Sequence, residues 1–406
     1  MSNSINRRDL LVGAAALSGV GALRTTADAY FEPRQPGAFP DELGERSSFE
    51  QLQRIQPTQF PAGISRTPLG QLDGILTPSD LHFERHHSGI PAIDPANHAL
   101  LVHGMVDREL KFALADLKRL PQTSRICMIE CSGNGGVAYW RDLMKPDLSP
   151  AEIDGLTSTS EWTGVTLQTL LTETGLKSNA RWLLAEGADA ARMTRSIPIA
   201  GALAANAMIA YAQNGEALRP SQGYPVRLVI PGWEGNTHVK WLRRIEVGDQ
   251  PFMSREETSK YTDPLADGRV RQFSLLMDAK STITFPAYPA VLPEKGWWEI
   301  RGIAWSGRGR ITKVEVSTDG GKRWQDAKLQ GPVLPVCHTR FRHTWKWNGR
   351  DAVLMSRATD ESGYVQPFLA DLERIRGRGT LYHQNNIRPW HVSREGRVTF
   401  AVDAFE

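Results

Sequence analysis

Cysteine is scarce in this chain: its 406 residues hold three, Cys127, Cys131 and Cys337. That is far below the density of a disulfide-stapled fold, and an odd number leaves at least one thiol over. No C-x-x-C-H run occurs, so the chain carries no c-type haem of its own, and no paired cysteine spacing offers a tetrahedral zinc set. An excess of one charge is lacking too. With 48 basic against 45 acidic residues and a net charge of +3, nothing asks for a nucleic-acid backbone as partner. Long apolar runs are absent after the first residues, which excludes a membrane span in the mature form. Neither an internal repeat nor a low-complexity segment is visible.

What is present begins at the N-terminus. Asn6-Arg7-Arg8-Asp9 places a twin arginine directly before the apolar run Leu10 to Leu23, and Ala27-Asp28-Ala29 follows as a small-residue cleavage site. The run is short of the ~20 residues that cross a bilayer, so residues 1–29 read as a twin-arginine export signal and the mature protein as periplasmic. That route exports folded proteins, which suits an enzyme loaded with a bulky cofactor before export.

Residues 30–75 are rich in Pro, Gly and charge and read as an extended N-terminal arm over the first domain. From 76 to 262, short β-like runs (Ala99 to Gly104, Arg125 to Glu130, Trp182 to Ala185, Val226 to Ile230) mix with helical stretches (Ala113 to Leu120, Leu167 to Thr174), which predicts one α+β domain. From 263 to 406 strict alternation takes over: Trp298 to Ile303, Thr312 to Ser317, Arg323 to Leu329, Phe341 to Trp347 and Ala352 to Thr359. Asp319-Gly320-Gly321 supplies residues that tolerate positive φ in a tight turn. The pattern predicts an all-β, immunoglobulin-like sandwich.

The stretch with most chemical content runs from Arg125 to Gly136, an apolar strand leading into Cys131-Ser132-Gly133-Asn134-Gly135-Gly136. A strand end fixes a sulfur, and glycines let a bulky ligand approach the backbone. From local pattern alone Cys131 is open between a metal ligand and an inert core thiol. Cys127 keeps the core reading; four extended residues put the two sulfurs roughly 13 Å apart, too far for a disulfide.

Several segments, in order, resemble the sulfite oxidase family of molybdopterin oxidoreductases. Phe83-Glu84-Arg85-His86-His87 is similar to that family's F-x-R-N-H segment, and the Cys131 loop to its molybdenum-cysteine loop. Ser160-Glu161-Trp162-Thr163-Gly164, Asn214-Gly215-Glu216, Gly223-Tyr224-Pro225-Val226-Arg227, Pro231-Gly232 and His238-Val239-Lys240-Trp241 match its core, and Ser317 to Trp324 resembles the hairpin of its dimerisation domain. The likeness runs from Leu76 to His391. It implies an α+β molybdopterin domain followed by the sandwich as a dimerisation domain, with molybdenum-molybdopterin as cofactor and no haem in this chain.

Residue by residue, the resemblance implies that Cys131 ligates molybdenum as thiolate, that Arg85 and Tyr261 face the substrate, and that Phe83, Arg85, His87, Asp189, Gln222, Arg227, His238 and Lys240 hold the cofactor. Gln222 stands where the family has a histidine; it can still donate a hydrogen bond. Gly135 and Gly136 stand where sulfite oxidases continue C-x-G-N-R-R with arginines, and the expectation is a smaller, less charged rim that admits a peptide arm. With the export signal and the missing haem segment, that loop is most similar to the molybdenum subunits of sulfane dehydrogenases. The likeness implies persulfide sulfur on a carrier protein as substrate, a dihaem cytochrome c subunit as electron acceptor, and a homodimer within a heterotetramer. The alternatives are a periplasmic sulfite dehydrogenase with an external cytochrome acceptor and, in another class, a non-catalytic binding module. A methionine-repairing reductase of the superfamily is disfavoured by the sandwich, which those enzymes lack.

Overall fold

The computed structural model describes residues 42–55, 62–265 and 267–405. The twin-arginine segment and the cleavage point after Ala29 lie outside them. The chain divides into two units at Leu52. Of the first, residues 42–52 hold only bends and a turn, with Leu43 and Phe49 exposed. Among the described residues, all regular structure lies in the second.

Its first part packs two five-stranded sheets. One runs Leu110–Ala113, Ala99–Gly104, Leu242–Gly248, Trp182–Gly187, Thr194–Pro198, with Leu242–Gly248 parallel to Ala99–Gly104 and the other pairs antiparallel. The other is antiparallel: Glu216–Ala217, Met208–Gln213, Thr157–Thr166 and Gln122–Glu130, with Arg227–Val229 also on Met208–Gln213. Leu100, Val102, Leu183, Ile209, Leu228 and Ile245 meet between them, with Leu167, Leu170 and Leu171 of the helix Leu167–Thr174. Each such buried aliphatic side chain contributes about 1.5–3 kcal/mol. Thr166 caps that helix by accepting from Thr169 N, and Gly175 at φ 69° ends it.

The second part is a sandwich of a four-stranded sheet (Lys280–Phe285, Gly296–Trp305, Thr339–Trp347, Lys328–Gln330) on a five-stranded one (Gln325–Asp326, Ile311–Ser317, Ala352–Asp360, Trp390–Val392, Val398–Phe400). Ile283, Ile300, Phe341, Val314, Leu354 and Trp390 fill it. Gly320 and Gly321 take φ of 73° and 84° in the turn read from sequence. The single strand expected over Arg323 to Leu329 is two short ones: Gln325–Asp326 pairs in one sheet and Lys328–Gln330 in the other. The chain changes sheets at Ala327, where the alternation continues while the partner changes.

The two parts share buried surface, since Ala138, Tyr139 and Ile153 of the first pack in the sandwich core. Of the expected N-terminal arm, residues 62–75 also touch both. Gly63–Ser65 pairs with Glu84–His86, whereas Leu69 packs with Met128, Ile303 and Trp305 and the Leu72 and Gly74 carbonyls accept from the Arg340 guanidinium.

Candidate functional site

Cys131 follows directly on the last residue of Gln122–Glu130, and its amide donates to Leu156 O at 2.9 Å. Asn134 N closes the loop back onto Cys131 O at 2.9 Å, so the sulfur is held on a turn fixed at both ends. It faces a cavity whose wall also includes Phe83, Arg85, His87, Asp189, Gln222, Arg227, His238, Lys240 and Tyr261. Every site residue read from the sequence therefore lines one space, brought there from segments up to Tyr261. Sequence reasoning passed over His82, Met193 and Asn236, which line it too, and quoted His86, Val239 and Trp241 without giving them a role.

The cavity is cationic. Arg227 donates to Gln222 O at 3.0 Å and His238 O at 3.1 Å, its guanidinium lies 4.9 Å from the Trp162 ring, and its Nε has no partner. Lys240 Nζ donates to Ser221 O at 3.0 Å and sits over Trp241. Among the described residues neither cation pairs with a carboxylate. Burial lowers Arg227 to about 9, and burial with the neighbouring Arg227 charge lowers Lys240 well below its ordinary value. Gln222 Nε2 donates to Phe83 O at 3.0 Å, tying the Arg227 neighbourhood to the Arg85 segment.

The histidines are neutral. Burial holds His82 and His238 at about 3, and burial with nearby cations holds His86 and His87 at about 4. His87 Nε2 lies 3.1 Å from the Tyr261 hydroxyl. Tyr261 has φ 39° and packs between Tyr382 and the Arg195 guanidinium, each 5.1 Å from its ring. Burial raises its pKa, which keeps it a hydrogen-bond donor. Arg195 in turn pairs with the buried Glu234 at 3.0 Å. Burial opposes ionisation of Glu234, but His383, Arg195 and Asn236 outweigh it and hold the carboxyl low.

Gly135 and Gly136 are not on the rim. Both are buried and absent from the cavity wall. A Cβ on Gly135 would lie 2.2 Å from an Arg388 nitrogen and 2.7 Å from Gln384 O; one on Gly136 would lie 3.1 Å from the Trp140 ring. The loop turns there into the sandwich, so the glycines admit close packing rather than a peptide, and the expected open rim is corrected.

Residues 87–256 match the oxidoreductase molybdopterin binding domain, and residues 271–389 match the Mo-co oxidoreductase dimerisation domain. Sulfite oxidase of Gallus gallus is 32% identical over 334 residues, covering 76% of this chain and 72% of that protein. The chain belongs to the sulfite oxidase family. The mitochondrial sulfite oxidase of Mus musculus is 31% identical over 79% of this chain but only 62% of its own length. The crystal structure of the sulfane dehydrogenase SoxCD from Paracoccus pantotrophus superposes with a TM-score of 0.86 at 43% identity, over 90% of this chain and 95% of that one.

The cavity suits this family's molybdenum cofactor. Among the described residues no group of three or more His, Cys, Asp or Glu could hold a metal ion. Cys131 offers one soft sulfur. Burial raises its thiol pKa, so the thiolate needs a cationic centre beside it. Arg227 with its unpartnered Nε, and Lys240, suit the phosphate of a pterin.

Proposed function

We propose that this chain is the molybdenum subunit of a periplasmic sulfane dehydrogenase, oxidising persulfide sulfur carried on a cysteine of a carrier protein. The carrying observation is its 43% identity, over 95% of the matched chain, to the sulfane dehydrogenase SoxCD, against 32% to a sulfite oxidase. The Cys131-to-Gly136 loop supports the same branch through its resemblance. It does so without the open-rim argument, which the burial of Gly135 and Gly136 removes.

Bound at Cys131, with Arg227, Lys240, His238, Gln222, Asp189, His87 and Phe83 around its pterin, the cofactor supplies two-electron oxidation with oxygen drawn from water. The remaining work falls to the chain. Arg85, held by its own hydrogen bond to His86 O at 2.7 Å, presents a planar cation to an anionic sulfur. Tyr261, with His87 on its hydroxyl, donates a hydrogen bond where charge develops. Neutral histidines keep the positive field on Arg85, Arg227 and Lys240 rather than spreading it with pH. A dihaem cytochrome c subunit takes the electrons, and the dimerisation domain supports a homodimer within a heterotetramer. The twin-arginine signal read over residues 1–29 supports export to the periplasm.

Turnover of persulfidated carrier protein, compared with free sulfite and with cytochrome c as acceptor in both, tests the reading. A strong preference for the carrier is expected. Rapid oxidation of free sulfite without such preference makes it a sulfite dehydrogenase instead. Protein from a cofactor-competent host that holds neither molybdenum nor pterin would instead be a binding module.

A further inference from the structure

The sandwich reaches into the metal-ligand loop. Lys280 opens the strand Lys280–Phe285, and Trp305 is its cross-strand partner, so both side chains leave the sheet on one face. They converge on Glu130, the residue before Cys131: Lys280 Nζ donates to Oε1 at 2.6 Å and Trp305 Nε1 to Oε2 at 2.7 Å. Lys280 also donates to Asn134 O at 3.1 Å, and Asn134 Nδ2 donates to Glu130 Oε1 at 2.9 Å. Lys280 is 1% exposed and Glu130 and Trp305 are fully buried. A lysine and a glutamate are rarely buried so completely for stability alone, because desolvation offsets most of their attraction.

The loop between these contacts has little freedom left. Asn134 Nδ2 donates to Asp154 O and its Oδ1 accepts from Leu156 N, while Leu156 O accepts from Cys131 N. Glu130 and Asn134 thus bracket Cys131, and one cation from the far domain holds both.

We infer that Lys280, with Trp305, is a positioning residue for Cys131: the sandwich sets the orientation of the metal's protein sulfur through Glu130 and Asn134. The inference rests on Cys131 being the ligand. It gives the domain whose matched family is named for dimerisation a second task inside each subunit. Partners in this outer layer typically change metal affinity tenfold to a hundredfold when removed.

The test uses full chain from a cofactor-competent host, in Lys280→Met, Lys280→Arg, Trp305→Phe and the double variant Glu130→Gln with Lys280→Met. Three quantities are read: molybdenum per chain, the thiolate-to-metal absorption band and the melting temperature. Lys280→Met is expected to lose about tenfold or more of its metal retention and to shift the band. Lys280→Arg should recover much of both. The double variant should recover the melting temperature, having no buried unpaired carboxylate, without recovering the band position. A wild-type band and metal content in Lys280→Met, whatever its melting temperature, would overturn the inference and leave Lys280 merely structural. Should Lys280→Met fail to fold, Trp305→Phe decides on the same readouts. Cys131→Ser is the control: a band surviving there refutes the ligand assignment itself, and its loss there beside an unchanged Lys280→Met refutes only the positioning role.

Discussion

Replacing Gly135 by alanine should cost far more than one methyl group suggests. The residue has φ 91°, where a Cβ adds about 1–2 kcal/mol of strain. That Cβ would also stand 2.7 Å from the Gln384 carbonyl and 2.2 Å from the Arg388 guanidinium. The carbonyl is backbone and gives little; the guanidinium must move. Arg388 pairs with Asp154 through contacts of 3.1 and 3.2 Å, and both side chains are 0% exposed. Parting a buried pair and stranding one charge costs about 3–5 kcal/mol. The expected destabilisation is therefore about 4–7 kcal/mol, a large part of an ordinary protein's net stability.

Gly136→Ala provides the contrast, because the three atoms nearest its Cβ all belong to the Trp140 ring, the first at 3.1 Å, and overpacking against a ring that can shift costs about 1–3 kcal/mol. Urea unfolding of wild type and both variants, with m held to its wild-type value, measures the difference. A Gly135→Ala protein within about 0.5 kcal/mol of wild type would refute the placement of this turn against Arg388 and restore the open rim as an explanation of substrate choice.

Other perturbations follow from the cavity. Tyr261→Phe removes the hydroxyl that His87 holds at 3.1 Å; kcat/KM should fall roughly tenfold to a hundredfold, the equivalent of about 1.5–3 kcal/mol from a hydrogen bond to charge, and an unchanged value would exclude Tyr261 from the reaction. Arg227→Met keeps the volume over Trp162 but removes a cation without a carboxylate partner; pterin recovered per chain should drop about tenfold or more, with full occupancy arguing against a phosphate at that position. Stability should fall with acid: His82 and His338 are held at about 3 against 6.5 in the unfolded chain, so the unfolded state takes up more protons below about pH 6.5. The stability they represent is complete above 6.5 and lost as pH falls toward 3. Urea midpoints at pH 7.5 and 5 measure this, and equal midpoints would contradict it.

The elements that sequence revealed are those whose burial is one-sided. Ala99–Gly104 and Leu167–Thr174 fall where period-two and helical patterns put them, because one face meets the core between the sheets and the other meets water. Thr157–Thr166, at the centre of the site sheet, was not legible as a strand. It is buried along nearly its whole length yet mostly Thr and Ser, so no alternation marks it. Its hydroxyls are satisfied one by one: Ser158 by Phe83 N at 3.1 Å, Ser160 by Gln213 at 2.8 Å, Thr157 with His338 at 3.0 Å. Such a strand is specified by partners far along the chain, and hydropathy does not register them. The same holds at the site. Most of the cavity residues sit in local motifs and could be read from them, whereas Lys280 lies 150 positions from the Glu130 it grips. What the sequence did offer was a charged residue heading the run Lys280 to Phe285, on the strand face that a sandwich buries. A charge in that position needs a buried counter-charge, and Glu130, beside Cys131, supplies it.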